Sequence, residues 1–189
     1  MRDLLPFISF MGFIIFQRAA EILFAKRNEK WMKSKGALEF GIVHYRWIVL
    51  VHVLFLLSFS MEKFIFNHGL SPQWLIIFIA FIFAQALRIW ALASLGRYWN
   101  TKILVLPNAD VIRKGPYRFI KHPNYFVVCV EILVIPLLFQ AYYTACLFTV
   151  LNIMVLAIRI PEEERALECY SEYNGVFHDC RRFLPKFVK

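Results

Sequence analysis

Two short segments carry the residue types that chemistry needs. Residues 109–125 read ADVIRKGPYRFIKHPNY, and residues 159–167 read RIPEEERAL. In the first, Gly115-Pro116 marks a turn. His122-Pro123 then resets the chain, because the residue before a proline avoids helical geometry and proline sits well in the first turn of a helix. A helix is therefore expected to begin at Pro123, with its free N–H groups and His122 at the water edge. Such a helix start suits a carboxylate or a ribose oxygen. In the second segment Pro161 is expected to start a helix, with Glu162, Glu163 and Glu164 in its first turn, favoured there by the helix dipole. A helix start with a positive anchor explains that composition. It does not explain a carboxylate cluster beside otherwise basic segments. Arg159 and Glu163 are four apart, so a helix running through the proline would make them neighbours.

The elements that must position these residues are membrane spans. The chain has 189 residues, of which 60% are hydrophobic, including 20 phenylalanines. A soluble domain is about 45–50% apolar, and the excess here comes in blocks rather than at amphipathic spacing. A span needs roughly 20 mostly apolar residues. Candidates are 4–25, 45–60 and 73–95, followed by 125–158, which is long enough for two spans with a tight turn near Gln140. Pro136 is expected to kink the fourth span, since proline removes a helical hydrogen bond. The expected fold class is all-α: a polytopic membrane protein of about five transmembrane helices, one domain over 1–189, with its motif core at 95–173. The N-terminal run lacks a basic n-region beyond Arg2 and a small-residue cleavage site, so it reads as a retained span.

The formal net charge of +9 is distributed by topology. Lys26, Arg27, Lys30, Lys33, Lys35 and Arg46 lie in one connecting segment, and Arg97, Lys102, Arg113, Lys114, Arg118 and Lys121 in another. The intervening segment has only Lys63, the turn near Gln140 has no charge, and the tail is basic again. The positive-inside rule then puts the N-terminus outside and the C-terminus in the cytoplasm, with basic groups meeting anionic lipid. No nucleic-acid motif accompanies the charge, so no nucleic-acid partner is expected. Cys129, Cys146, Cys169 and Cys180 show no metal-ligand spacing and read as reduced thiols without a metal. Arg18, Glu21, His52, Gln85, Arg88, Glu131 and Asn152 fall inside spans, where polar groups normally face a bundle interior. Arg18 and Glu21, three apart, are expected to pair, and Arg88 to snorkel to the inner interface.

The paired segments resemble those of the isoprenylcysteine carboxyl methyltransferase family. GPYRFIKHPNY matches a G-x-Y-x-x-x-R-H-P-x-Y pattern, and RIPEEERAL matches R-x-x-x-E-E-x-x-L, in the right order and separated by a hydrophobic hairpin. Lys121 stands where arginine is usual, which keeps the charge and loses the bidentate fork. Arg18–Glu21 within RAAEI, Arg27-Asn28, the GALE run at 36–39 and His44-Tyr45 look like the bacterial branch, and a bacterial cell membrane is expected. The resemblance implies S-adenosyl-L-methionine as methyl donor, bound in a cytoplasmic pocket capped by the C-terminal segment. By motif match, Ala109, Asp110, Val111, Ile112, Tyr117, His122, Pro123, Asn124, Tyr125 and Glu163 would line the cofactor, and Arg159 would be the catalytic residue that meets a lipophilic or prenylated substrate entering from membrane lipid. Tyr117 and Tyr125 suit a sulfonium cation or an adenine ring, and His122 and Glu163 suit the polar ends.

Methyl transfer to a carboxylate demands no general base, so catalysis would rest on alignment and electrostatics. The bacterial character keeps an enolic hydroxyl, such as that of a long-chain alkylpyrone, beside isoprenylcysteine carboxylate as acceptor. Three alternatives stand next to this O-methyltransferase: a phospholipid N-methyltransferase, which calls for a base near its amine, a membrane reductase, and a non-enzymatic lipid-binding protein. The sequence leaves the oligomeric state open.

Overall fold

The computed structural model describes residues 3–183. Eight regular elements run in the order α1 (Leu4–Ser34), β1 (Leu38–Phe40), α2 (Ile42–Phe66), α3 (Trp74–Leu95), β2 (Ile103–Val105), α4 (Pro123–Leu137), α5 (Tyr142–Tyr170) and α6 (Tyr173–Phe177). Short 3-10 turns at Gly96–Tyr98 and Gly115–Arg118 punctuate the long α3–α4 connection. Among the described residues, α1, α2, α3 and α5 are long and apolar enough to cross a membrane. The protein is an all-α polytopic membrane protein, and the expected fourth span, α4, is the short one. Its 15 residues cover about 22 Å at the helical rise, short of a hydrocarbon core of roughly 30 Å.

One end of the bundle gathers the N-terminus, the α2–α3 connection and the α4–α5 turn. The Ser71 N–H donates to the Leu138 carbonyl at 2.9 Å, and the Leu70 N–H donates to Asp3 Oδ2 at 2.9 Å. Phenylalanines fill the bundle there: Phe59 packs edge-on to Phe7 at 5.2 Å, and Phe7 edge-on to Phe139 at 5.2 Å. The Glu62 carboxylate accepts the free N–H groups of Tyr143 and Thr144, so α2 caps α5 across the bundle. Pro136 does not kink a longer helix. It lies in the last turn of α4, and its carbonyl accepts from Phe139 and Ala141 as the chain turns.

The other end carries the basic segments and both motifs. α1 outruns its expected end at residue 25 by continuing to Ser34. Its polar last turns dock on the α3–α4 connection through the Asn28 amide, which donates to the Gly96 and Trp99 carbonyls. A two-stranded antiparallel sheet, β1 against β2, was not expected. It is held by Lys33 and Lys102, each paired with Glu29 and Glu39. The sheet brings Ile103 and Val105 against Ala166 of α5, which fixes the connection over the end of the bundle.

α5 also departs from its expected start. Pro161 does not start a helix; α5 runs continuously through it for 29 residues. Tertiary contacts on both sides of the proline offset the missing hydrogen bond: Arg159 is tied to Thr101 and Tyr125, and Ala166 packs on β2. The glutamates therefore project from mid-helix in three directions. Glu162 lies 3.7 Å from His44, Glu163 accepts from the Tyr125 hydroxyl, and Glu164 meets His122.

Gly115 explains the start of the GPYR turn. Its φ is +56°, and a Cβ there would overlap Ser94 Oγ and stand 2.8 Å from Trp90 Nε1. Gly115→Ala is expected to destabilise the fold by roughly 1–3 kcal/mol from backbone strain alone, more with the clash. Thermal unfolding in detergent measures it, and pairing with Ser94→Gly should remove the clash with Ser94 but neither the one with Trp90 nor the strain. An unshifted melt for Gly115→Ala would refute this account.

Candidate functional site

The two motifs meet at the Tyr125 hydroxyl. Arg159 donates to it through Nε at 2.7 Å, and it donates in turn to Glu163 Oε2. Arg159 Nη2 also donates to the Thr101 carbonyl at 2.6 Å, so the guanidinium is held by two elements besides its own helix. Continuity of α5 makes this possible, since Arg159 and Glu163 lie one turn apart on one face and straddle the same phenol.

On one side of this junction lies an outer cavity of about 170 Å³. Of the residues singled out in the sequence, Ala109, Asp110, Val111, Ile112, Tyr117, His122, Asn124, Tyr125 and Glu163 line it. Pro123 does not; it is buried as the first residue of α4. Arg159 does not line it either and faces a second, inner cavity. His122 reaches the outer cavity with its ring already engaged, Nε2 lying 3.0 Å from Glu164 Oε1. Glu164 is also gripped by Arg182 at 3.1 and 2.6 Å. The chain at 181–182 runs beside 120–122, with the Lys121 and His122 N–H groups donating to the Arg181 and Arg182 carbonyls. His122 is thus a clasp between the motif loop, α5 and the C-terminal segment. Pro185 of the basic tail lies outside the described residues.

Sequence reasoning missed Trp99, the β2 residues Leu104 and Val105, and Tyr173 and Phe177 of α6, all of which line the outer cavity. Only the aromatic character of Trp99 and Tyr173 hinted at them. Three buried polar atoms of residues on this lining have no partner among the described residues: Trp99 Nε1, Asn124 Oδ1 and the Tyr173 hydroxyl. Buried polar groups are normally hydrogen-bonded, so two donors and an acceptor stand unpaired on residues that line this cavity. Burial, reinforced by Glu163, pushes the hydroxyl pKa values of Tyr117 and Tyr173 well above the ordinary tyrosine value. Both therefore stand as neutral phenols.

The inner cavity, about 420 Å³, lies within the bundle among α1, α2, α4 and α5. Its walls are largely apolar, with Arg159 at the junction end. Trp99, Asn124 and Tyr125 line both cavities, so these three residues form a shared partition. Deeper, the expected Arg18–Glu21 pair is present at 2.8 Å but belongs to a larger cluster. Arg18 and Arg88 both bind Glu131, and Arg88 also binds Glu21 at 2.9 Å. Arg88 does not snorkel. It is 3% exposed, because two carboxylates and the Gln85–Glu131 hydrogen bond complete its surroundings inside the bundle.

Comparison with known proteins agrees with this arrangement. The model of the isoprenylcysteine carboxyl methyltransferase family matches residues 74–169, a stretch that contains both motifs, most of the outer cavity's lining and half of the inner one's. The chain is 50% identical over 161 residues to the uncharacterized protein YpbQ of Bacillus subtilis, covering 85% of this chain and 96% of that one. It is 30% identical over 142 residues to an uncharacterized protein of Haemophilus influenzae, covering 75% and 83%. With the family match spanning half of its length and the motif residues gathered around one partition, the chain belongs to the isoprenylcysteine carboxyl methyltransferase family.

Proposed function

We propose that the protein transfers a methyl group from S-adenosyl-L-methionine to a carboxylate or acidic hydroxyl oxygen of a lipophilic acceptor. The observation that carries this reading is the pair of cavities sharing Trp99, Asn124 and Tyr125, the more polar one at the end of the bundle and the more apolar one within it. The outer lining fits the donor chemically. Tyr117 and Tyr125 offer aromatic faces to a cation, Glu163 a carboxylate to ammonium or ribose hydroxyls, and Trp99, Asn124 and Tyr173 their unpartnered polar atoms. Val111, Leu104 and Val105 supply apolar wall for a base. When bound, S-adenosyl-L-methionine supplies an electrophilic methyl group on a sulfonium.

The chain's own residues do the rest. Arg159 holds and orients the acceptor oxygen beside the partition, with its own geometry set by Tyr125 and Thr101. A carboxylate so held is already nucleophilic and needs no base, which leaves alignment and a water-poor site as the sources of rate. A buried cation at that place opposes an ammonium acceptor, which weighs against phospholipid N-methylation. The apolar inner cavity receives the acceptor's hydrocarbon from lipid. The charge alternation supports a multi-pass arrangement in the cell membrane, with the N-terminus outside and the outer cavity facing the cytoplasm.

Calorimetric titration of the detergent-purified protein with S-adenosylhomocysteine tests the outer cavity. Saturable binding is expected. Glu163→Ala and Asn124→Leu should each weaken it by about tenfold or more, the worth of a lost buried hydrogen bond. Absence of binding in folded protein, or affinity indifferent to both changes, would overturn the assignment.

A further inference from the structure

Arg159 reaches the inner cavity with much of its grip already committed. Nε donates to the Tyr125 hydroxyl at 2.7 Å, and Nη2 donates to the Thr101 carbonyl at 2.6 Å. Those two nitrogens form one of the forks by which a guanidinium takes both oxygens of a carboxylate, and here that fork is spent. What remains for an acceptor is Nη1, which has no partner among the described residues, and the second N–H of Nη2. A guanidinium reduced to one end attaches an anion. A second donor on another element would also orient it.

Tyr45 of α2 lines the same cavity, beside Thr101 and Arg159. Its hydroxyl lies 3.3 Å from Thr101 Oγ1, longer than the roughly 2.5–3.0 Å of an ordinary O–H···O bond. Two hydroxyls are thus loosely paired at the residue whose carbonyl holds Arg159. Such a pair leaves the Tyr45 O–H able to turn to a stronger acceptor, and a carboxylate is one. The ring itself is seated. Lys102 Nζ stands over it, 5.8 Å from its centroid. That ammonium is fixed in turn by Glu29 of α1 at 2.7 Å and Glu39 of β1 at 3.0 Å. The ion pairs that hold the β1–β2 sheet therefore also hold the α2 tyrosine at the cavity. Pinning α2 to the chain before β2 would account for the Tyr45–Thr101 contact. It does not account for the length of that contact, or for its place in the cavity wall beside Arg159.

We infer that Tyr45 is a second acceptor-binding residue, whose hydroxyl donates to the anionic head that Arg159 holds. This rests on the reading of the inner cavity as the acceptor site, and it places no demand on the hydrocarbon behind the head. Cation and phenol then grip the head from two helices. The pairing favours an anion spread over two oxygens, a carboxylate or a vinylogous enolate, because one oxygen can face Arg159 and the other Tyr45. Residue 45 lies outside the 74–169 stretch matched by the family model, so α2 adds a contact to those the matched stretch supplies.

Native mass spectrometry of the detergent-solubilised protein, titrated with octadecanoate and with octadecan-1-ol, tests this without requiring turnover. The two probes share their hydrocarbon and differ in the head. The wild type is expected to bind octadecanoate more tightly. Tyr45→Phe should weaken octadecanoate by about tenfold or more, the worth of a hydrogen bond to a charged group, and spare octadecan-1-ol. A merely structural contact would weaken both probes alike. That result, or an unchanged octadecanoate affinity, overturns the role of Tyr45 alone. If the wild type does not prefer octadecanoate, the acceptor-site reading fails and Tyr45 fails with it. A second measurement needs no variant: octadecanoate carrying a diazirine at carbon 3 should, on irradiation, label the Tyr45 peptide of the wild type. Labelling confined to α4 and α5 would also overturn the proposal.

Discussion

Arg159→Ala should lower methyl transfer by roughly 10²–10³-fold or more, the range seen when one preorganised electrostatic contact is removed from an acyl or alkyl transfer site. Affinity for S-adenosylhomocysteine should change little, because Arg159 lines the inner cavity and not the outer one. The expected loss has two parts. The acceptor oxygen loses its cation, and the Tyr125 hydroxyl loses the Nε donor that holds it at 2.7 Å. Arg159→Lys separates them: the charge is kept while the planar fork that reaches Tyr125 and Thr101 together is lost. Lysine should therefore recover only part of the rate. Transfer of labelled methyl into the organic phase, with a long-chain acid as acceptor, reads the first effect, and calorimetry reads the second. Full activity in Arg159→Ala would remove the residue from the mechanism. Loss of S-adenosylhomocysteine binding in the same variant would show that the two cavities are not separate in function.

Glu131→Ala should be among the most destabilising single changes in the chain. Glu131 is 1% exposed and accepts from Arg18, Arg88 and Gln85. With two arginines and two glutamates the cluster is neutral in formal charge, a condition under which a bilayer interior tolerates such groups. Removing one carboxylate leaves an uncompensated arginine within the bundle. Breaking a buried ion pair from one side costs about 3–5 kcal/mol, which in a chain of this size lowers the melting temperature by on the order of 10 °C. Glu131→Gln keeps the volume and a hydrogen-bond acceptor but not the charge, so it should recover packing and little of the stability. A thermal melt of Glu131→Ala that coincides with the wild type would show that the cluster is hydrated from the cavity rather than sealed.

How much of this was legible in the sequence differs from element to element. Pro123 marks the first residue of α4 because proline's ring and the constraint on His122 act within two residues. The identical reasoning failed at Pro161, where the local preference for a helix start was overridden by Arg159, Glu163 and Ala166 anchoring α5 on either side. Arg88 likewise has a side chain that can snorkel, and nothing near it in sequence says otherwise. Its partners Glu21 and Glu131 are 67 and 43 residues away. Trp99 and Tyr173 entered the site only because the β1–β2 pairing and the 181–182 clasp fold the two connections over the end of the bundle.

The sequence by itself determined the membrane class, the positions of the apolar spans, and the two segments in which chemistry is concentrated. These follow from transfer free energy summed over about 20 residues and from the fixed φ of proline, both of which act locally. Tertiary structure alone decided that one phenol joins the motifs and that the cavities share a partition. It also decided that four charges across three helices close into a neutral cluster. Those outcomes depend on which side chains meet across the bundle. In a medium without water each buried charge or hydrogen-bonding group must find its partner on another helix, and that pairing is set by packing rather than by any neighbour in the chain.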